Sequence, residues 1–365
     1  MHKKYYSLKQ ILSKNAQYNI IFGERSNGKT YAVLMHGLTR YVKAGEQMAI
    51  VRRWTEDFTG KRGAAMFAAL EENGEIKKLT GGEWTGVYYY ASRWYLCRYD
   101  STGKRESAEI PFAYGFSISA MEHDKSNSYP LICTILFDEF LSRQAYLPDE
   151  FILFMNVLST IIRERKDVKI FMCGNTVNRY CPYFQEMGLK HIQKMDPGDI
   201  DVYTYGSSDL TVAVEYAKPS GQGKASDSYF AFDNPKLRMI TGGTWEIDIY
   251  PHCPEKYRPV DVVFRFYIIF AGDTLECEIV SKNENAFIFI HRKTSEIHEG
   301  ELIYTTDYDP RPNYRRKITI ATSRCEEKIR DLFRKDKIFY ADNETGEIVR
   351  NYLQWCTNKE TKKAG

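Results

Sequence analysis

Residues 23–30 read Gly23-Glu24-Arg25-Ser26-Asn27-Gly28-Lys29-Thr30, which fits the spacing G-x-x-x-x-G-K-[ST] at every fixed position. An apolar run, YNIIF, stands directly before this stretch and a helical segment, KTYAVLMHGLTRYVKAG, directly after it. Glycines let the backbone wrap a phosphate, and exposed N–H groups at a helix N-terminus favour the anion. Gly23, Ser26, Asn27 and Gly28 are therefore expected to line a nucleotide, with Lys29 on the β- and γ-phosphates and the Thr30 hydroxyl on Mg²⁺. The cofactors this chemistry calls for are ATP and Mg²⁺.

A second element lies roughly 100 residues on, where the apolar run Thr134-Ile135-Leu136-Phe137 ends in Asp138-Glu139. Asp138 at a strand end suits the Mg²⁺ shell, and Glu139 suits the orientation and deprotonation of an attacking water. A glutamate beside that aspartate favours ATP hydrolysis by a motor over a kinase or a GTPase switch. The next strand ends in Cys173-Gly174-Asn175, and the Asn175 amide is placed to sense the γ-phosphate. Arg163 and Arg165 close the preceding helix and Lys125 precedes the Asp138 strand. A cation supplied to a γ-phosphate is worth ~10³–10⁵ in rate, although cations at a helix C-terminus are also favoured by the helix dipole alone. Arg52, Arg53, Lys61 and Arg62 are candidates for a nucleic-acid backbone or for the nucleotide.

These residues need a scaffold, and the sequence supplies one. Short apolar runs (YNIIF, EQMAIVRRW, LICTILF, DVKIFMCGN) alternate with helical segments from Tyr18 onward, among them EDFTGKRGAAMFAALEENG over 56–74, which indicates crossover units and a parallel sheet of four such strands. An aromatic hairpin, VYYYASRWYLCRYD followed by SAEIPFAYGFSIS, is expected as an antiparallel insertion, with a turn at STGKRE. A helix is expected from about Asp149 to Arg165. After about Tyr216 the texture turns to KPSGQGKASDS, a linker composition. The expected division is an ATPase domain over 1–216, a linker region over 217–252 and an α+β domain over 253–365.

Composition narrows the partners. The chain has 365 residues, 43% hydrophobic and 27% charged, with 51 Lys+Arg against 48 Asp+Glu for a net charge of +3. It is a folded protein and no polycation, so nucleic-acid contact must be local or shared among subunits. Eight scattered cysteines without a Cys-x-x-Cys pair suggest reduced thiols and no zinc site. No run is long enough to span a bilayer. Aromatic residues reach 14%, many of them between Tyr88 and Tyr99.

The residues in this order resemble the DNA-packaging ATPases of tailed phages, in the short phi-29-like branch of the large-terminase-like ring motors. The likeness covers most of 15–215. It rests on the P-loop, on Gly45-Glu46-Gln47 with Val51-Arg52-Arg53, on Lys125-Ser126-Asn127 with Tyr129-Pro130, and on Ile135-Leu136-Phe137-Asp138-Glu139-Phe140. Arg163-x-Arg165 and Pro182-Tyr183-Phe184 also correspond. The resemblance implies an α/β P-loop NTPase fold of the additional-strand, catalytic-glutamate type. It implies a homopentameric ring that pumps double-stranded viral DNA through the portal of a procapsid, in the cytoplasm of an infected bacterium and outside the mature virion. It leaves a structural packaging RNA open as a further partner. Arg25 matches an arginine of the family's P-loop, Arg163 matches its trans-acting arginine finger, and Lys125 resembles a second cation delivered across the subunit interface.

For the second domain the resemblance implies a degenerate ribonuclease-H-like fold that binds nucleic acid or the portal. Its first strand, Phe264 to Phe270, carries no aspartate, and the second carries only Glu276 and Glu278, so nuclease activity on two metals is not expected. Arg311, Arg315, Arg316 and Lys317 are the candidate backbone contacts there. A helicase or an ATPase that extrudes single-stranded genomes is the alternative reading.

Overall fold

The computed structural model describes residues 6–123, 128–142, 146–147, 149–177, 180–206, 208–219, 245, 250–253, 255–283 and 285–357. The chain divides into two compact units, Met1–Glu246 and Ile247–Gly365.

The first unit is built on a 10-stranded sheet. Its centre is parallel, in the spatial order β6 (Ala113–Ser117), β2 (Gln47–Arg52), β7 (Ile132–Asp138), β8 (Lys169–Asn175), β1 (Tyr18–Gly23) and β10 (Thr211–Ala217). These strands are predominantly apolar because helices and loops cover both faces of the sheet. Period-2 alternation sends Ile20, Phe22, Ala49 and Val51 into one core layer and Ile21, Met48, Ile50 and Leu136 into the other. The antiparallel edges are β9 (Ile200–Thr204) beside β10, and the hairpin β3 (Gly86–Tyr90) with β4 (Arg93–Tyr99), to which β5 (Arg105–Ser107) adds.

Among the helices, α1 (Lys9–Leu12) opens the unit, and α2 (Lys29–Ala44) starts at Gly28 (φ 92°) and stops at Gly45 (φ 71°). Gly45 N–H bonds Tyr41 O, the usual left-handed helix stop. α6 (Glu150–Ile162) crosses between β7 and β8, and α7 (Pro182–Glu186) follows β8.

Three expectations are corrected. The parallel set has six strands, since Thr211–Ala217 and Ala113–Ser117 join it. The turn at STGKRE joins β4 to β5 as expected, and β6 pairs antiparallel with β4 through Arg93 and Trp94 while its other edge pairs parallel with β2. A second tight turn, missed from sequence, lies at Ala91 and Ser92, both with positive φ, and splits the expected single run VYYYASRWYLCRYD into β3 and β4. The helical stretch expected over 56–74 is broken into single turns, α3 (Gly60–Ala64), α4 (Ala68–Glu72) and α5 (Glu75–Leu79), with short 3₁₀ segments around Glu56 and Met66. Gly60 and Gly74 adopt positive φ there and interrupt the helix.

The second unit holds a six-stranded sheet in the order β15 (Tyr314–Arg315), β14 (Leu302–Thr305), β11 (Val262–Phe270), β12 (Asp273–Lys282), β13 (Asn285–Arg292), β16 (Ile338–Tyr340). β11, β12 and β13 form an antiparallel meander, while β14 runs parallel to β11 and β15 parallel to β14. α8 (Arg324–Arg334) begins at Ser323, whose hydroxyl accepts from Glu326 N–H. The final segment is a helix, α9 (Asn343–Thr357), that buries Ile348, Val349 and Tyr352. Among the described residues no helix is long and apolar enough to cross a membrane.

Candidate nucleotide site

β1 delivers the loop 24–28 to the carboxyl edge of the parallel sheet. Gly23 has φ 153°, and a Cβ there would lie 2.9 Å from Ala217 O, so the loop can begin this close to β10 only with glycine. The register sets Gly23 opposite Asn175. Lys29 is buried at 5% exposure, and its ammonium folds back over the loop, donating to Glu24 O at 2.7 Å, to Asn27 Oδ1 at 3.2 Å and to Asn175 Oδ1 at 3.5 Å. Burial lowers the Lys29 pKa to about 8, offset in part by the nearby carboxylates of Asp138 and Glu24. Arg25 and Ser26 are exposed on the loop.

β7 brings the two acids to the same edge. Thr30 Oγ1 donates to Asp138 Oδ1 at 2.7 Å across 108 residues of sequence. Asp138 is buried, whereas the Glu139 side chain is 62% exposed and its backbone takes φ 61°. Arg52, at the end of β2, bridges both acids: Nη2 to Asp138 Oδ2 at 2.5 Å and Nη1 to Glu139 Oε2 at 2.8 Å.

Arg53 points the other way. Its guanidinium makes a bidentate pair with Glu150 at 2.7 and 2.8 Å and donates to the carbonyls of Phe140 (2.9 Å) and Glu139 (3.3 Å). Tyr183 Oη donates to Glu150 Oε1 at 2.7 Å, and the Tyr146 ring lies 5.1 Å from the Arg53 guanidinium. The nucleic-acid assignment of this doublet is therefore corrected on physical grounds. Arg53 is 7% exposed with its donors engaged by Glu150 and carbonyl oxygens, and Arg52 belongs to the acid pair. Glu150, Tyr146 and Tyr183 were missed from sequence. The available signal was the doublet itself, since neighbours on a strand face opposite ways.

The other expected residues are spread out. Lys61 and Arg62 are exposed on α3, and Lys125 lies outside the described residues. Arg163 ends α6 at φ 52° and is exposed. Two residues on, Arg165 donates to Pro130 O at 2.9 Å and to Ile132 O, at the start of β7. Arg163 thus sits at the amino edge of the sheet, one 13-residue helix, about 20 Å, from the end that carries Glu150. It does not reach the nucleotide loop of its own subunit.

In the second unit Arg315 binds Glu326 at 3.2 Å and Pro312 O and Tyr314 O, so it fastens its loop to the start of α8. Arg311 pairs with Asp309 at 2.7 Å and covers Tyr314. Arg316 and Lys317 lie over the Trp355 ring. Glu276, Glu278 and His291 approach one another, and the Arg265 guanidinium already neutralises the glutamates, at 3.5 and 3.0 Å.

The first unit fits Mg²⁺ and a triphosphate. Asn27 Nδ2, on the phosphate-type loop itself, is a buried donor without a hydrogen-bond partner among the described residues. Thr30 Oγ1 and Asp138 Oδ1 offer two hard oxygen ligands side by side, as Mg²⁺ requires.

The family model of the podovirus DNA encapsidation protein (Gp16) matches residues 1–84 and 106–198. The N-terminal unit belongs to that family. The DNA packaging protein of Bacillus phage B103 is 29% identical over 182 residues, 49% of this chain and 50% of that protein. The chain thus spans about half the length of the packaging proteins it matches. The bacteriophage phi-29 genome packaging motor assembly shares the fold with a TM-score of 0.54 at 20% identity, over 95% of this chain and 96% of that one. The phi-28 DNA packaging motor does so at 0.51 and 16%, over 98% and 99%.

Proposed function

We propose that this chain is the ATP-hydrolysing subunit of a ring motor that drives double-stranded viral DNA through the portal of a preformed procapsid. The observation that carries the reading is the junction of Thr30 with Asp138, with Glu139 next in sequence and Lys29 beside Asn175. Phosphate-loop and acid elements distant in sequence meet within one hydrogen bond. Lys29 and the loop amides bind and orient the phosphates. Thr30 and Asp138 would hold Mg²⁺, whose charge neutralises the phosphate oxygens. Glu139 gives up its contact with Arg52 to take the proton of the attacking water. Asn175 shares Lys29 with the loop, so a phosphate that draws Lys29 forward changes what Asn175 contacts.

Arg163 acts in trans, in this reading, on the γ-phosphate of the neighbouring subunit, and Lys125 joins it. Their trans action requires a ring, taken as a pentamer, at the portal vertex in the cytoplasm of the infected host, with a structural RNA as a further component. The division into an ATPase domain, a linker and a C-terminal domain belongs to the same reading. The C-terminal domain is a degenerate ribonuclease-H-like fold that grips DNA or the portal; its three-stranded meander extended by two parallel strands supports this.

The deciding experiment supplies procapsids, linear duplex DNA and ATP to the purified chain and measures DNA protected from external nuclease. Protection that depends on ATP and fails with Glu139→Gln is the expected result. Strand separation of a forked duplex without protection would replace packaging with the helicase reading.

A further inference from the structure

The β3–β4 hairpin takes no part in the nucleotide site, and it coincides with a gap in the family match, which stops at residue 84 and resumes at 106. Strand periodicity divides its side chains between two faces. Tyr89 and Trp94 turn inward, with rings 5.0 Å apart and Trp94 Nε1 donating to Gly63 O at 2.8 Å. The opposite face carries Tyr88, Tyr90, Arg93, Tyr95 and Tyr99, joined by Arg105 from β5 through the cross-strand pairs Tyr88↔Tyr95, Tyr90↔Arg93 and Tyr99↔Arg105. The Tyr88 and Tyr90 rings run parallel to within 11° at 6.4 Å, and the Arg105 guanidinium lies 3.5 Å from the Tyr88 ring. Tyr90 and Tyr99 are 64% and 62% exposed.

This outer face carries cations and ring faces, and its strand residues include no carboxylate. Glu106 belongs to the other face, paired with Arg98 at 2.7 Å, and Glu71 is engaged at the strand edge by Val87 N–H. Tyrosines on a sheet with arginines between them match what unpaired nucleotides offer, a π-face on each base and a negative charge on each phosphate. Tyrosine and arginine also enrich protein interfaces, but parallel ring planes with guanidinium groups between them suit the alternation of base and phosphate along a strand. A duplex keeps its base faces stacked inside.

We propose that the outer face of the β3–β4 hairpin binds an unpaired segment of RNA, with bases stacking on Tyr88, Tyr90, Tyr95 and Tyr99 and phosphates on Arg93 and Arg105. The choice of RNA over single-stranded DNA rests on the packaging reading, in which the DNA is duplex, and on tyrosine hydroxyls that can meet a 2′-OH.

The test is fluorescence anisotropy of a labelled mixed-sequence single-stranded RNA on the full chain, beside a DNA strand of the same sequence and the matching DNA duplex. The RNA should bind more tightly than either DNA. Tyr88→Ala and the exposed Tyr90→Ala should each weaken it on the order of 5- to 100-fold, while Tyr90→Phe keeps the stacking and loses part of the preference for RNA over the DNA strand. Arg105→Ala should flatten the salt slope by about 0.7, and Arg98→Ala on the opposite face should change nothing. Binding of a fluorescent ATP analogue, read in the same preparations, should be unaltered, which separates failure of this proposal from failure of the ATPase reading. Tyrosine variants that bind RNA like the parent chain overturn the platform, and equal affinity for the DNA strand overturns the assignment to RNA.

Discussion

Arg53 and Glu150, 97 residues apart in sequence, form a bidentate ion pair in which the side chains are 7% and 0% exposed. The pair also anchors the carbonyls of Glu139 and Phe140, so it fixes the backbone from which Glu139 projects. Removing one partner strands a buried charge. Glu150→Ala should cost about 3–5 kcal/mol in urea unfolding. The double change Arg53→Met with Glu150→Leu should recover most of that stability, as hydrocarbon replacements of buried pairs often do, and still lose ATPase. Unchanged turnover in a stable double variant would remove the positioning role.

Arg52 competes with a metal for the charge of the Asp138 carboxylate, which it holds by Oδ2 while Oδ1 faces Thr30. Its contacts with Asp138 and Glu139 neutralise both acids. Arg52→Ala should tighten Mg²⁺ binding by about fivefold, roughly 1 kcal/mol, read by Mg²⁺ titration of a fluorescent nucleotide complex. Weaker Mg²⁺ binding in that variant would contradict the competition.

The lowered Lys29 pKa, about 8, has a definite sign in the nucleotide-free chain. Between pH 8 and about 10.5 the unfolded lysine holds a proton that the folded one has lost, so stability rises with pH there. Below pH 8 the burial cost is fully present. Compared with Lys29→Met, the parent chain should gain on the order of 2–3 kcal/mol over that window in urea unfolding. A flat difference would mean that the ammonium keeps its ordinary pKa.

Arg163 provides a mixing test. Arg163→Ala alone should bind ATP and turn over poorly, with a loss of ~10³-fold or more. Added Glu139→Gln subunits carry an intact Arg163 and should restore part of the turnover. Failure to restore any would end the trans assignment.

In the second unit two adjacent arginines should behave differently. Arg315 is committed to Glu326 and two carbonyl oxygens, so Arg315→Ala should lower stability by roughly 1–3 kcal/mol with little change in DNA affinity. Arg316 is exposed. Arg316→Ala should leave stability nearly unchanged and reduce the slope of log affinity against log salt by about 1 for duplex DNA. Equal salt slopes for the two variants would place neither on the phosphate backbone.

The parts of the site held by local backbone geometry were legible in the sequence. The Gly23–Thr30 spacing dictates its own loop, and an apolar strand ending in Asp138-Glu139 announces the sheet edge. What escaped depends on meetings between distant segments. Nothing near Arg53 in sequence names Glu150 or Tyr183 as its partners, and only strand alternation separates its role from that of Arg52. The hairpin turn escaped for a local reason. Two-residue turns are signalled by glycine or asparagine, and here Ala91 and Ser92 take the positive φ angles instead. β6 lies antiparallel to β4 as expected, and only its parallel pairing with β2 went unread, because an apolar run does not name the strand on its other edge.

The strand that carries the phosphate loop also anchors both ends of the segment leading out of the first unit. Ala217 ends β10 against Gly23, and Trp245 packs on Phe22 at 5.1 Å. A mechanical load on the polypeptide at Trp245 would therefore bear on β1 one residue short of the loop, together with Tyr216 and Phe184. Force and phosphate would be read by the same strand.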